Sequence, residues 1–329
     1  MDRDLATATW LLEFGYNRLI LRNEKHMKIG MNGTGLVQKA SIQAVVEHAQ
    51  QAADDGFSSY WIAEHPTGGF DALTVLAAVG VQVPGIELGT AIIPTFPRHP
   101  LTLASQATTV NNLLDGRLTL GIGLSHEPMM AQLGIGFDKP IRHLIDYLNI
   151  LMPLVRQGSV DYAGESLQCS ADFFRPPNAP LSVVVAALGP QALKVTGKSS
   201  DGTILAWVGP KTIREHIVPK LSDAAAQAGN VAPQVIATLP VCVTDEVELV
   251  RGKLARGMTM YGKLPSYRAM FDREGVDGPA DVAIVGSAAE VVDKIGELDQ
   301  AGVGTFTPSE FFLNRDQAEE TRALLKSLL

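Results

Sequence analysis

Strand-forming runs return along this chain at intervals of about 30 residues, the length of one strand followed by one helix. They begin near Lys28 (KIGMN), Ser59 (SYWIA), Glu87 (ELGTAII) and Leu118 (LTLGIG). Repetition at that spacing predicts parallel strands joined by crossover helices. The intervening segments carry the helical period: in SIQAVVEHAQQAADDG the apolar Ile42, Val45, Val46, Ala49 and Ala53 share one face, Ser41 is placed as an N-cap, and Gly56 as a stop. DALTVLAAVG and PLTLASQATTVNNLLDG read the same way and are expected to end at Gly80 and Gly116.

The rhythm then breaks for about 55 residues, a length that predicts an insertion after strand four. It holds a helical stretch, IRHLIDYLNILMPLVRQG, and a polar, proline-rich one, FFRPPNAP. Strands resume at LSVVVAAL, GTILAWV and QVIATLPVCVT, and a last one at VGTFT follows the helix SAAEVVDKIGELDQAG, in which Ser287 and Glu290 form a capping box. A closing helix runs from Asn314 to Leu329. Strands alternating with helices, several apolar on both faces, predict an α/β fold, a closed (β/α)8 TIM barrel. No G-x-G-x-x-G follows the first strand, since GMNGTGLVQ is spaced differently, so an open dinucleotide-binding sheet fits less well. The barrel is expected over residues 27–329 as a single domain, with residues 1–26 an N-terminal extension or a short helix docked on the surface.

A chain of 329 residues that is 46% hydrophobic can bury such a core. Its net charge of −8 offers no broad basic footprint for nucleic acid, although a local basic pocket could still hold an anionic ligand. Cys169 and Cys242 make no metal-type spacing, so no metal is expected, and a reducing cytoplasm fits them. No apolar stretch approaches the roughly 20 residues of a membrane helix, and no secretion signal is evident, so neither membrane nor export is expected.

Barrel active sites lie at the C-terminal ends of the strands. Glu64 and His65 end strand two, Pro94 to His99 follow strand three, Ser125 to Glu127 follow strand four, and Gly189 and Pro190 follow strand five. In ALGPQALKVTGK a glycine and a helix-starting proline at a strand end leave free N–H groups where an anion could bind, with Lys194 and Lys198 adding charge; an ordinary turn with solvated lysines is the alternative. His126 is placed for proton transfer, and its alternative is a structural role, as it is for His65. Arg98 either anchors the turn before Pro100 or meets an anionic substrate. His48 is expected on a helix surface, and His143 and His216 partly solvated.

WIAEH, LGTAIIPTFPRHPLTLA, LLDGRLTLGIG, VDYAGESL, AALGPQALKV with SDGTILA, and VGSAAEVVDKIGELDQAGV occur in that order. Together they resemble the luciferase-like flavin and deazaflavin oxidoreductases, especially the branch using coenzyme F420. The resemblance implies that His65 sits near the cofactor ring with Glu64 before it, and that a cis peptide joins Ala91 to Ile92 behind the ring. It implies that Ala186, Ala187, Leu188 and Gly189 run beside the phosphate and ribityl chain. By position Lys194, Ala206 and Trp207 are also placed on the cofactor, with plain core packing the alternative for Trp207. His65 and His126 are then the catalytic candidates, and Arg98 and Glu127 face a small-molecule substrate. Sugar-phosphate-oxidising members carry a glutamate where His126 stands, which argues against their substrate. The leading expectation is an F420-dependent oxidoreductase transferring hydride to or from an unidentified organic substrate. The alternatives are an FMN monooxygenase fed reduced flavin by a partner, and a flavin-binding barrel without turnover. The family often dimerises, which leaves a homodimer open. MTMYGKLPSYRAMF after strand seven reads as a lid or an outer helix.

Overall fold

The computed structural model describes residues 27–37, 41–66 and 69–329, so the expected extension over residues 1–26 lies outside the described residues. The main sheet closes on itself. Lys28–Ile29 pairs in parallel with Thr305–Phe306, the last strand, whereas Met31–Asn32 pairs with Ser59–Ile62, the second. These two halves of strand one are the two ends of the hydrogen-bonded path. Between them run Glu87–Thr90, Leu118–Gly123, Ser182–Val185, Gly202–Ala206 and Gln234–Thr238, every pair parallel. With Ile93–Pro94 continuing strand three, the ten segments make the eight strands of a TIM barrel.

Burial is divided between two layers. Most of the core lies between strands and outer helices, and a smaller cluster of Trp61, Val184, Ile204 and Ile236 fills the barrel interior. Trp61 donates its indole N–H to Ser59 Oγ (2.8 Å), satisfying the one polar atom of a ring that is 3% exposed. Gly89 makes room for it, since a Cβ there would lie 2.2 Å from the indole.

Local signals place most helices. Ser41 caps Ile42–Asp54 by accepting from Ala44 N–H, the Ser287–Glu290 capping box opens Ala288–Gln300, and Asn314 caps Arg315–Ser327. Four readings change. The helix expected to stop at Gly80 runs on as Ala72–Gln82, because Gly80 is a packing glycine whose Cβ would meet Leu114 at 2.1 Å. Pro140–Gln157 is not part of an insertion: it packs between Pro100–Leu113 and Pro190–Ser199 as an outer barrel helix. What is added around it is the short helix Glu127–Gln132 and the antiparallel hairpin Ser159–Ala163 with Gln168–Asp172. The turn of that hairpin is held by Asp146, which accepts from Ser166 N–H (2.6 Å) and Tyr162 OH (2.8 Å). A strand the sequence reading omits, Ile284–Gly286, pairs with Pro240–Val243 in a small sheet outside the barrel path. His48 is not a surface residue: its Nδ1 meets the Tyr60 hydroxyl at 2.9 Å in a network that reaches Glu310 and Arg322 of the closing elements.

Candidate active site

The floor of the barrel mouth is built by a break in strand three. Gly89 pairs with Thr119 and Ile93 with Ile122, so four steps on one strand face three on the other, and the extra residue bulges. The Ala91–Ile92 peptide in this bulge is cis. Thr90 Oγ1 donates to the Gly121 carbonyl and accepts from the Gly121 N–H, both at 2.8 Å, replacing the ladder bonds the bulge removes. Only glycine fits at 121, because a Cβ would sit 1.9 Å from the Thr90 carbonyl oxygen. Ala91 N–H donates to Ile62 and Glu64 N–H to Ile92, which ties the bulge to the end of strand two. Ala91, Ile92 and Ala186 all pack on the Trp61 cluster, so three of the residues assigned to the cofactor share one floor.

Glu64 and Arg98 sit together, engaged with each other. Glu64 accepts from Arg98 (3.1 Å) and from Ala72 N–H (3.1 Å), and Arg98 also reaches Asp71 (2.8 Å), the N-cap of the same helix. Burial pushes the Glu64 carboxyl up, against the pull of Arg98 and the Ala72 N–H. Burial raises Asp71 as well, but hydrogen bonds from Thr74, then Arg98 and Gln106, hold it below the usual carboxylate range. Tyr147 donates its hydroxyl to the Arg98 carbonyl (2.9 Å), which joins this group to the outer helix Pro140–Gln157. Glu64 therefore fixes the turn that carries His65. Two carboxylates already neutralise Arg98.

The two catalytic candidates are half-buried, and burial lowers the pKa of both His65 and His126 below the ordinary 6.5. Both imidazoles are thus neutral near pH 7 and able to accept a proton. His126 lies edge-on to Tyr261 (6.0 Å between ring centroids) and tilted to Tyr267 (5.7 Å), while Tyr261 meets Trp207 at 5.9 Å. The segment open to reading as a lid or an outer helix is two helices, Thr259–Lys263 and Pro265–Glu274, that bring these tyrosines to the mouth. Sequence reasoning quoted the segment but named neither tyrosine. Their ring-bearing positions, split across two short helices, leave no single periodic stripe. Ser125 and Trp207, at the ends of strands four and six, adopt φ of 61° and 60°. Left-handed backbone costs a side-chain-bearing residue about 1–2 kcal/mol and gathers at functional sites. Glu127, beyond His126, is exposed in the first turn of its helix.

Two of the helices that directly follow barrel strands begin with Gly-Pro. Gly189 is the N-cap of Pro190–Ser199, and among the described residues no side chain caps it. A Cβ built there meets nothing within 4 Å. Gly209 is the N-cap of the helix opening at Pro210, and there the Glu274 carboxylate accepts from Lys211 N–H (3.2 Å) and Thr212 N–H (2.7 Å). Ala187 is buried, and the Leu188 carbonyl accepts from His216 Nε2 (2.9 Å). Lys194 and Lys198 are both exposed, but Lys198 lies in the last turn of its helix, about 12 Å along the axis from Pro190 at 1.5 Å per residue, so it serves the other end of the barrel.

Residues 27–305 match the model of the luciferase-like monooxygenase family. The chain belongs to that family. Among luciferase-like relatives, the F420-dependent glucose-6-phosphate dehydrogenase of Amycolatopsis mediterranei is 25% identical over 211 residues, covering 60% of this chain and 63% of its own. The coenzyme F420-dependent tetrahydromethanopterin reductase of Methanopyrus kandleri superposes with a TM-score of 0.74 at 21% identity, covering 92% of this chain and 97% of that one. The oxygenating constituent of 3,6-diketocamphane monooxygenase from Pseudomonas putida, in complex with FMN, superposes at 0.70 with 19% identity, covering 92% and 96%.

Within this luciferase-like barrel His143 and His216 are not the partly solvated residues expected of them. His143 is 7% exposed, stacks on Phe96 at 3.9 Å and meets Thr95 Oγ1 at 3.1 Å, and burial drives its pKa down to about 4. His216 is 4% exposed. Ala206 and Trp207 end strand six at the same rim as Gly189, which follows strand five. Among the described residues no group of three or more His, Cys, Asp or Glu is placed to hold a metal ion. No helix among them is long and apolar enough to cross a membrane.

Proposed function

We propose that the protein is a coenzyme F420-dependent oxidoreductase that moves hydride between the deazaflavin and a small organic substrate. The observation that carries the reading is the uncapped Gly189–Pro190 helix start, one strand from Trp207 and next to the floor of Ala91, Ile92 and Ala186. Free N–H groups at a helix start favour a phosphate, and Ala91 and Ala186 on the floor leave room for a flat ring. The residues present fit the cofactor. Bound there, the deazaflavin would supply the hydride chemistry at carbon five, and the chain would supply orientation, a water-poor pocket and a proton carrier.

His126 is assigned the proton. Its neutral imidazole takes up a proton from a substrate hydroxyl as oxidation proceeds, and Tyr261 and Tyr267 shield it from water on one side. His65, held by the turn that Glu64 fixes, is assigned to the cofactor ring. Arg98 is held by Glu64 and Asp71 through Nη2, which leaves only its buried Nη1 for a substrate. The F420-dependent relative supports the choice of cofactor.

Titration of the purified protein with oxidised F420 and, separately, with FMN tests the reading. Tighter binding of F420 is expected. Submicromolar FMN binding without measurable F420 binding would replace it with the flavin monooxygenase reading.

A further inference from the structure

The helix that follows strand six contains a π turn, Ile213–Ile217, between Pro210–Thr212 and Val218–Gln227. Such turns take in one extra residue and re-aim the side chains around them, often at functional sites. Here the turn buries Ile213, His216 and Ile217, and His216 reaches across to the chain leaving strand five. A carbonyl can only accept, so His216 Nε2 carries the proton and donates it to Leu188 O at 2.9 Å. Burial lowers the imidazole's pKa below the ordinary 6.5; the hydrogen bond to Leu188 opposes it, and the nearby Arg273 and Lys220 lower it further.

The Leu188 carbonyl and the Gly189 N–H belong to one peptide plane, and in a trans peptide they point in opposite directions. A carbonyl pulled outward to a histidine in the helix layer therefore turns the following N–H inward, away from that layer. The space beside Gly189 is open, with nothing within 4 Å of a Cβ placed there. The supporting frame is rigid: a Cβ at Gly197 would lie 2.4 Å from the Leu221 carbonyl, so helices Pro190–Ser199 and Val218–Gln227 meet backbone to backbone.

We infer that His216 is a positioning residue for the anion-holding end of the cofactor site: it sets the Leu188–Gly189 peptide so that the Gly189 N–H faces a phosphate. The inference rests on the reading that the Gly189 run holds the cofactor's phosphate. His216 itself touches neither cofactor nor substrate. Its hydrogen bond preorganises an amide that would otherwise have to turn when the anion arrives.

The test compares affinities for oxidised F420 and for the phosphate-free deazaflavin riboside, in wild type, His216→Leu, His216→Asn and His216→Gln. Wild type should bind F420 more tightly than the riboside. His216→Leu should lower F420 affinity roughly tenfold, the scale of one charge-assisted hydrogen bond, and leave the riboside unchanged. His216→Gln, whose amide nitrogen lies near the position of Nε2, should restore the difference, and His216→Asn, one atom shorter, should not. Equal loss for both ligands, or no loss in His216→Leu, overturns the inference. If His216→Leu does not fold, His216→Asn decides: a difference as large as in wild type overturns it. A wild type that does not distinguish F420 from the riboside instead defeats the phosphate reading on which the inference rests.

Discussion

Gly189-Pro190 and Gly209-Pro210 follow adjacent strands, start outer helices in the same way, and have opposite electrostatic fates. At Gly209 the chain supplies its own anion: Glu274 spans Lys211 and Thr212 N–H, and a Cβ on Gly209 would lie 2.3 Å from its carboxyl carbon. At Gly189 no side chain of the described residues arrives. The local sequence makes both helix starts attractive to negative charge. A residue more than sixty positions downstream of Gly209 removes one of them. Glu274 also ends the helix that carries Tyr267, so under the proposed function the closed start anchors the wall on the substrate side and the open start is left for the cofactor.

If the two starts divide the work in this way, changes on one side should spare the other. The largest expected effect is at His126, on the wall. His126→Gln should slow turnover about a hundredfold, the usual scale for a lost acid–base group, while F420 affinity is unchanged. In the oxidising direction wild-type turnover should fall as acid protonates His126, with its midpoint below 6.5 because burial disfavours the imidazolium. The variant's pH profile should lack that limb. An identical limb in both would assign the proton elsewhere.

Glu274→Ala leaves two N–H groups without their acceptor, one of them on the buried Thr212. Urea unfolding should show a loss of about 2–3 kcal/mol, and F420 affinity should hold. A matching loss of affinity would mean that the two starts are coupled. Smaller effects should come from the glycines themselves. Gly209→Ala, crowding Glu274, should destabilise by about 1–2 kcal/mol, whereas Gly189→Ala, facing open space at φ −77°, should change stability by less than about 0.5 kcal/mol and weaken F420 binding instead. Smallest is the contribution of the exposed lysines. Lys194→Gln should flatten the salt dependence of F420 binding slightly, and Lys198→Gln, at the far end of the helix, should not alter it.

The barrel was legible because each strand–helix unit repeats its signal locally: strand four is LTLGIG as read, and Ser41, Ser287 and Asn314 cap the helices they precede. Strand-end logic also brought Glu64, His65, His126 and Gly189 to notice without any tertiary information. What stayed hidden depends on distant partners. Gly80 looks like a helix stop until Leu114 is seen against it, and Arg98 looks free until Glu64 and Asp71 close on it. The roles of His216 and Glu274 are set by backbone atoms 28 and 62 to 63 residues away, beyond the reach of any periodic pattern. The cis peptide at Ala91–Ile92 came from the family resemblance, and the structure places it in a bulge whose glycine and threonine partners had gone unremarked.

A crystal structure of the F420 complex tests most directly that the open helix start is the cofactor's phosphate site. The expected result is a phosphate oxygen about 3 Å from the Gly189 N–H, a hydrogen-bonding distance, with Glu274 still on Lys211 and Thr212. A phosphate bound at Gly209 with Glu274 displaced, or one held away from both helix starts, would contradict it.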